Sequence, residues 1–217
     1  PVVRARVVAE MEAAEKIRYD AVLARAAELG IPVRKEGPGH QVAILHDIRG
    51  DEPLYRVTMN RNAAISSAAN LMAFAPYNLN GSGVQVGVWD AGSVLRTHQE
   101  FTLNRVTNVN NVATDDHATH VAGTIGAAGV SATARGMATN VFIDSYDWNS
   151  DYAEMTSAGA ATSNDVNSKV PLSNHPYGYN ASTSDMGVYN DEAVTTDSIL
   201  VNLPYYLPFW AAGNEQD

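Results

Sequence analysis

The apolar positions of residues 1–30 recur at the spacing of one helical face, with charged residues between them. The pattern ends at Gly30, and Pro32 follows two residues later, which is the usual composition of a helix end. We therefore predict one long amphipathic helix over residues 2–29. Its predicted apolar face consists of Val3, Val7, Met11, Ala14, Ile17, Ala21, Ala24 and Ala27.

Two further apolar or alternating runs follow, at residues 41–48 and 54–59. The residues between them, 49–53, read Arg-Gly-Asp-Glu-Pro, so the two runs are predicted to form a β-hairpin. An Arg-Gly-Asp triplet can also be an integrin-binding motif, but glycine and aspartate are what a tight turn requires in any case. We interpret the triplet as the turn of the hairpin.

The character of the chain changes after this hairpin. Residues 60–80 are rich in alanine, serine and asparagine without a strong period, and residues 80–83, Asn-Gly-Ser-Gly, are a turn signal. We place a boundary there, between an N-terminal helix-and-hairpin segment (1–79) and a main domain (80–217). Apolar strands alternate with helices in the main domain, which predicts an α/β fold with a parallel sheet covered by helices on both faces. The strands are predicted at residues 84–89, 141–143 and 207–212, and the helices at residues 119–127 and after residue 151.

Composition narrows the classes of function. The chain is 45% hydrophobic, enough for a buried core, and its net charge is -10. Residues 1–35 hold seven of the 14 basic side chains but only five of the 24 acidic ones, so the main domain is strongly acidic and is not expected to bind nucleic acid. No apolar run of about 18 residues could span a bilayer. The absence of cysteine excludes disulfides, thiolate zinc sites and cysteine nucleophiles from this sequence.

One apolar strand and one helix carry the candidate catalytic residues. Residues 86–92 read Val-Gly-Val-Trp-Asp-Ala-Gly, so Asp90 ends a buried strand, where the sites of parallel sheets collect. An aspartate in this place could also simply cap a loop. Residues 117–124 read His-Ala-Thr-His-Val-Ala-Gly-Thr, which places His117 at the start of a helix. Histidine can take up and return a proton near neutral pH, and a carboxylate on its other nitrogen fixes its tautomer.

This pair of motifs resembles the subtilisin-like serine proteases. In that family the aspartate sits in a strand-ending Asp-x-Gly, and the histidine opens a His-Gly-Thr-His-Val-Ala-Gly helix, where this chain has Ala118 in place of the glycine. The resemblance implies that Asp90 is the orienting carboxylate, that His117 is the general base, and that His120 is a structural histidine. It also implies a subtilisin-like parallel sheet, incomplete in this chain.

Two further segments follow in the family order. Residues 209–215 resemble the family strand that ends in Ala-Gly-Asn, which makes Asn214 the candidate oxyanion-hole amide. Residues 172–178, Leu-Ser-Asn-His-Pro-Tyr-Gly, resemble the strand that pairs with bound peptide, so Tyr177 and Gly178 are the candidate substrate-binding residues. Pro176 stands where relatives commonly have serine, and it removes one backbone donor. A left-handed turn at the asparagine and an ordinary surface loop at 172–178 remain the alternatives.

The family nucleophile lies in a Gly-Thr-Ser-x-Ala motif well after the asparagine, and this sequence does not contain that motif. A parallel sheet that stopped at the Asn214 strand would expose an apolar edge, so we expect a second chain or a further segment to carry the serine. The chain alone is then expected to be inactive, and a stable, monomeric 1–217 polypeptide would contradict this expectation. None of the serines in the sequence lies in a Gly-Thr-Ser-x-Ala motif; those checked include Ser93, Ser131, Ser157, Ser173 and Ser184.

The resulting hypothesis is a serine endopeptidase that cleaves proteins or peptides through an acyl-enzyme. The alternative is a non-catalytic pseudoprotease, or an inhibitory or binding fragment of the same fold. A zinc peptidase is disfavoured because His117 and His120 are three residues apart, with alanine where a glutamate is needed. A dinucleotide site is disfavoured because the glycines of residues 81–83 precede the strand instead of following it.

Cofactors, location and the role of the N-terminal segment are inferred from the resemblance. The chemistry requires no cofactor; structural calcium is common in the family, but no calcium-loop spacing identifies a metal ligand here. The family implies an extracellular or cell-surface protein, with no membrane or nucleic-acid partner. Because the chain begins at Pro1 and shows no signal-peptide pattern, we expect a targeting signal and upstream residues to be gone. Residues 1–79 could be a prosegment that assists folding and blocks the cleft, or a permanent accessory layer.

Overall fold

A computed structural model describes residues 2–36, 42–58, 72, 75–131, 135–165, 169–179 and 187–213 of the chain. The helices in these ranges are α1 (Val2–Leu29), α2 (Asp116–Gly126), α3 (Asp151–Ala158) and α4 (Asp191–Asn202). The strands are β1 (Arg34–Glu36), β2 (Val42–Arg49), β3 (Glu52–Thr58), β4 (Gln85–Asp90), β5 (Val106–Asn108), β6 (Phe142–Asp147), β7 (Leu172–His175), β8 (Tyr177–Tyr179) and β9 (Leu207–Trp210).

A five-stranded parallel sheet with the strand order β5-β6-β4-β7-β9 forms the centre of the main domain. Helix α2 covers one face through a core that contains Val88 and Val121. Helices α3 and α4 cover the other face through a core that contains Trp89, Met155 and Ile199. The neighbours Val88 and Trp89 of β4 serve opposite faces, as the pleat of a strand requires. The predicted α/β fold, with helices on both faces of a parallel sheet, is confirmed.

Strand β9 is the last strand of this sheet within the described residues, and its apolar side chains remain exposed. Leu207 is 54% exposed, Phe209 53% and Trp210 41%. An edge strand with this much exposed apolar surface is an unusual arrangement for a finished sheet. The apolar edge that the sequence predicted at this strand is therefore present in the described part of the chain.

The N-terminal helix is present over the predicted residues, but its predicted apolar face is wrong. Ile17 is 72% exposed, whereas Val22 and Ala26 are buried against Leu45 and Tyr55 of the hairpin. Half of the predicted face was alanine, which packs on any side of a helix, so the partners of α1 decide which side is buried. Those partners are β2 and α3. None of the helices described here is long and apolar enough to cross a membrane.

The predicted hairpin is confirmed, with a shorter turn than expected. Strands β2 and β3 pair in antiparallel register up to Arg49 and Glu52, so the turn consists of Gly50 and Asp51 alone. Gly50 has φ of +65°, which glycine adopts at little cost. Together with β1 and β8, the hairpin forms a four-stranded antiparallel sheet in the order β1-β2-β3-β8. Strand β8 belongs to the main domain, so this sheet joins the two predicted segments.

Candidate active site

The centre of the site is a carboxylate at the carboxyl end of the middle strand. Asp90 is the last residue of β4, and its side chain is completely buried. One carboxylate oxygen, Oδ1, accepts a hydrogen bond from the backbone N–H of Ala91 at 2.7 Å. The other, Oδ2, lies 2.7 Å from Nδ1 of His117. The strand and the two hydrogen bonds leave the Asp90 side chain little freedom to move.

The helix that carries His117 is fixed at its start and along its buried side. The carboxylate of Asp115 caps α2 by accepting from the backbone N–H groups of His117 at 2.9 Å and Ala118 at 3.1 Å. Further along, Val121 and Ala122 pack into the core beneath the sheet. Because His117 lies in the first turn, between the cap and the packed face, its imidazole is held at the end of β4.

A short connection also ties the aspartate loop to the start of α2. The N–H of Ser93 donates to the carbonyl of Ala113 at 2.9 Å, and the N–H of Asp115 donates to the carbonyl of Ser93 at 2.8 Å. Gly92 lies against this contact: a Cβ atom there would come within 2.7 Å of the Ala113 oxygen and 3.0 Å of the Asp115 Cβ. The glycine of the Asp-x-Gly motif is therefore required by close approach of the two loops.

The hydrogen bond between Asp90 and His117 assigns the positions of the protons. A carboxylate has no hydrogen to donate, so Nδ1 of His117 carries the proton and Nε2 is the basic nitrogen. Burial raises the pKa of Asp90, and the hydrogen bond with His117 opposes that rise. Nε2 of His117 is shielded from solvent and has no hydrogen-bond partner among the described residues. An imidazole in this state can accept a proton from a group placed next to Nε2.

The same corner brings together ligand types that metals use. Asp90, Asp115 and His117 each offer a ligand atom, and these atoms lie within 4.8 Å of one another. Hydrogen bonds already engage the oxygens of Asp90 and an oxygen of Asp115, and Nδ1 of His117 faces Asp90. A metal ion here would have to replace the helix cap or the aspartate–histidine hydrogen bond. The residues fit an acid–base pair better than a metal site.

The predicted substrate-binding residues lie on β8, and another strand already pairs with this strand. Tyr177 is buried, and β8 pairs in antiparallel register with β3, so that Thr58 faces Tyr177, Val57 faces Gly178 and Arg56 faces Tyr179. The edge that the resemblance assigns to bound peptide is thus occupied by the N-terminal hairpin.

Strand β9 ends at Trp210, whose indole stacks on the imidazole of His175 with ring centroids 4.5 Å apart. The N–H of Ala211 then donates to the carbonyl of His175 at 3.1 Å. The predicted oxyanion residue, Asn214, lies outside the described residues.

A second serine–histidine contact occurs inside the protein. Oγ of Ser173 lies 2.8 Å from Nε2 of His175 and 2.6 Å from the hydroxyl of Tyr206. Nδ1 of His175 lies 2.9 Å from the hydroxyl of Tyr177, which donates to Asp151 at 2.8 Å. All five side chains are buried, and burial lowers the pKa of His175 to about 3. A substrate has no access to Ser173, so we interpret this chain of hydrogen bonds as structural.

Sequence reasoning missed an ion pair that joins the two segments. Arg56 of β3 is 3% exposed, and its Nη2 lies 2.8 Å from Oδ2 of Asp151, the first residue of α3. Arg56 also donates to the carbonyl of Trp148. In the sequence Arg56 is one polar residue in a strand, and nothing in its neighbourhood indicates that it points inward.

A parallel sheet with a buried carboxylate–histidine pair at its carboxyl edge is an α/β framework that can support acid–base chemistry. Residues 81–217 match the subtilase family, Peptidase S8. The match covers more than half of the chain, and the chain therefore belongs to the subtilase family of serine peptidases. No curated protein and no solved structure matches the chain.

Proposed function

We propose that this subtilase chain supplies Asp90 and His117 to an Asp–His–Ser triad that hydrolyses peptide bonds through an acyl-enzyme. The observation that carries the proposal is the 2.7 Å contact between Nδ1 of His117 and the buried Oδ2 of Asp90. It leaves Nε2 as the base, in a position shielded from solvent. This is the arrangement that a serine hydroxyl needs from its partner.

The reaction follows from this geometry in two halves. Nε2 of His117 removes the proton from a serine hydroxyl while the serine oxygen bonds to the carbonyl carbon, and Asp90 stabilises the imidazolium that forms. The imidazolium then protonates the leaving amine, which leaves an ester on the serine. Water attacks that ester by the same proton transfers in reverse order, and the acid product departs. Asn214 is proposed to donate to the negatively charged oxygen of each tetrahedral intermediate.

The serine is proposed to come from a second chain or a further segment of the protein. The exposed apolar side chains of Leu207, Phe209 and Trp210 on β9 support this, because they form the edge that additional structure would cover. Without that structure, the chain is expected to be inactive. The proposed enzyme requires no cofactor for its chemistry, and we place it outside the cell or at the cell surface, as is common for subtilases.

Residues 1–79 are proposed to act as a prosegment that covers the substrate edge. The pairing of β3 with β8 supports this role, since a peptide substrate would use the same edge next to Tyr177 and Gly178. The packing of α1 on α3 adds a second contact between the segments. A protein in which this covering is permanent would be the non-catalytic alternative, a pseudoprotease that binds without cleaving.

Labelling with a fluorophosphonate tests the proposed chemistry directly. The full-length protein that contains this chain is treated with the probe and analysed by denaturing mass spectrometry, together with the variants His117→Ala and His120→Ala. We expect a label on a serine outside residues 1–217, its loss in His117→Ala, and its retention in His120→Ala, which changes a histidine on the same helix. Equal labelling of both variants, or none of the wild type, would contradict the proposed triad.

A further inference from the structure

The main domain contains a buried pocket that is filled by a guanidinium group. Nη2 of Arg56 lies 2.8 Å from Oδ2 of Asp151 and 3.3 Å from the hydroxyl of Tyr179. Nη1 donates to the carbonyl of Trp148. The guanidinium carbon lies 5.1 Å from the ring centroid of Tyr177 and 5.7 Å from that of Tyr179, within the range of cation–π attraction. The carboxylate, the carbonyl and the two rings named here belong to residues 81–217, and Glu15 and His46 of the N-terminal segment also interact electrostatically with the guanidinium.

The pocket requires a cation because its carboxylate is removed from water. Asp151 has a side chain that is only 6% exposed. Its Oδ1 accepts from the N–H of Tyr152, and its Oδ2 accepts from the hydroxyl of Tyr177 and from Arg56. Both of the other donors are neutral, so Arg56 supplies the charge that offsets the burial of the carboxylate. A buried carboxylate that loses its counter-charge is strongly destabilising.

The strand that delivers the guanidinium lies where a substrate would lie. In the β3–β8 register, Arg56 faces Tyr179, Val57 faces Gly178 and Thr58 faces Tyr177. Under the proposed function, β8 is the edge that binds peptide backbone. Any strand that replaces β3 in this register places one side chain in the pocket, namely the side chain two residues before the one that faces Tyr177.

We propose that Asp151, the Trp148 carbonyl and the rings of Tyr177 and Tyr179 form a substrate subsite that selects an arginine side chain. The proposal rests on the proposed function, since it takes β8 as the peptide-binding edge. Arginine fits better than lysine because its planar guanidinium reaches the carboxylate and the carbonyl together while it lies near two aromatic rings. The substrates are therefore peptides with arginine two residues before the position that faces Tyr177.

The binding half of this proposal can be tested without catalysis. In the full-length protein, Arg56→Met keeps most of the apolar stem and empties the charged end of the pocket. Guanidinium at millimolar concentration is the probe, and an equal concentration of tetramethylammonium is the control. We expect the guanidinium compound to raise the thermal midpoint of Arg56→Met by about 2–4 °C, with no effect on the wild type or on Arg56→Met/Asp151→Asn. Equal responses of all three proteins would overturn the subsite.

The selectivity half is tested by cleavage and does not depend on the folding of an Arg56 variant. Quenched fluorescent peptides copy residues 52–60 with arginine, lysine, alanine or glutamate at the position of Arg56. We expect the arginine peptide to have a kcat/KM about tenfold above the alanine peptide. In Asp151→Asn this ratio should fall to about two, and an unchanged ratio would overturn the subsite.

The outcomes separate the subsite from the proposed peptidase. Cleavage of all peptides at similar rates overturns the subsite and leaves the peptidase in place. Cleavage of none contradicts the peptidase, and the response of Arg56→Met to guanidinium then decides whether the pocket binds a guanidinium group.

Discussion

The ion pair between Arg56 and Asp151 should make a large contribution to the attachment of the N-terminal segment. At 2.8 Å, with an effective dielectric constant of about 20, the Coulomb attraction is about 6 kcal/mol, and much of it is offset by the cost of removing both charges from water. Removing one partner leaves the other charge buried and unpaired. We therefore expect Arg56→Met to lower the free energy of unfolding by about 3–5 kcal/mol.

A double-mutant cycle measures this effect. The wild type, Arg56→Met, Asp151→Asn and the double variant are unfolded in urea at pH 7, with the total tryptophan fluorescence, to which Trp148 contributes, as the readout. The double variant has no unpaired buried charge, so its loss should be smaller than the sum of the single losses by about 2–3 kcal/mol. The exposed pair Lys16–Asp20 is the control, with an expected coupling of about 0.5 kcal/mol. Additive losses for Arg56 and Asp151 would refute the reasoning.

Three further predictions concern single carboxylates and a histidine. Asp90→Asn should slow fluorophosphonate labelling about 10,000-fold because the imidazole loses its orienting partner, whereas Asp116→Asn, on the exposed start of α2, should label at the wild-type rate. Backbone N–H groups, foremost that of Ser131, donate to the Glu100 carboxylate and lower its pKa. The stability that these hydrogen bonds give the folded protein is complete above pH 4.5 and is lost as the pH falls further. Thermal melts between pH 6 and pH 3 should show a smaller loss in Glu100→Gln than in the wild type; equal losses would contradict this. Burial lowers the pKa of His46 from 6.5 to about 4, so the stability present above pH 6.5 is lost as the pH falls towards 4. His46→Gln should lose less stability than the wild type over this range in the same melts, and an equal loss would contradict the prediction.

The parts of this protein that sequence could predict are those with local causes. A strand of apolar residues that ends in Asp90 and a capped helix that opens with His117 are both readable from neighbouring residues. The parallel sheet then brings the two together, because the carboxyl ends of its strands share one edge. At this edge, Nδ1 of His117 lies 2.7 Å from Oδ2 of Asp90.

The parts that sequence could not predict depend on partners far away in the chain. The buried side of α1 is chosen by β2 and α3, so a stripe of alanines on the helix carried no information about it. Arg56 pairs with a residue far along the chain, and an arginine in a strand ordinarily points to water. Its burial depends on Asp151 and two tyrosines, none of which is close to it in sequence.

The same pocket must serve both the covering strand and a substrate if the proposals hold together. Asp151 is buried when β3 lies on β8, so it favours a cation from the strand that occupies this position. A substrate with arginine at the matching position would place the same charge in the pocket, and the two strands are mutually exclusive. The main domain prefers its own N-terminal segment because that segment is covalently attached and makes contacts that a short peptide lacks. The packing of α1 on α3 is such a contact, and it would hold β3 in place until the segment is released.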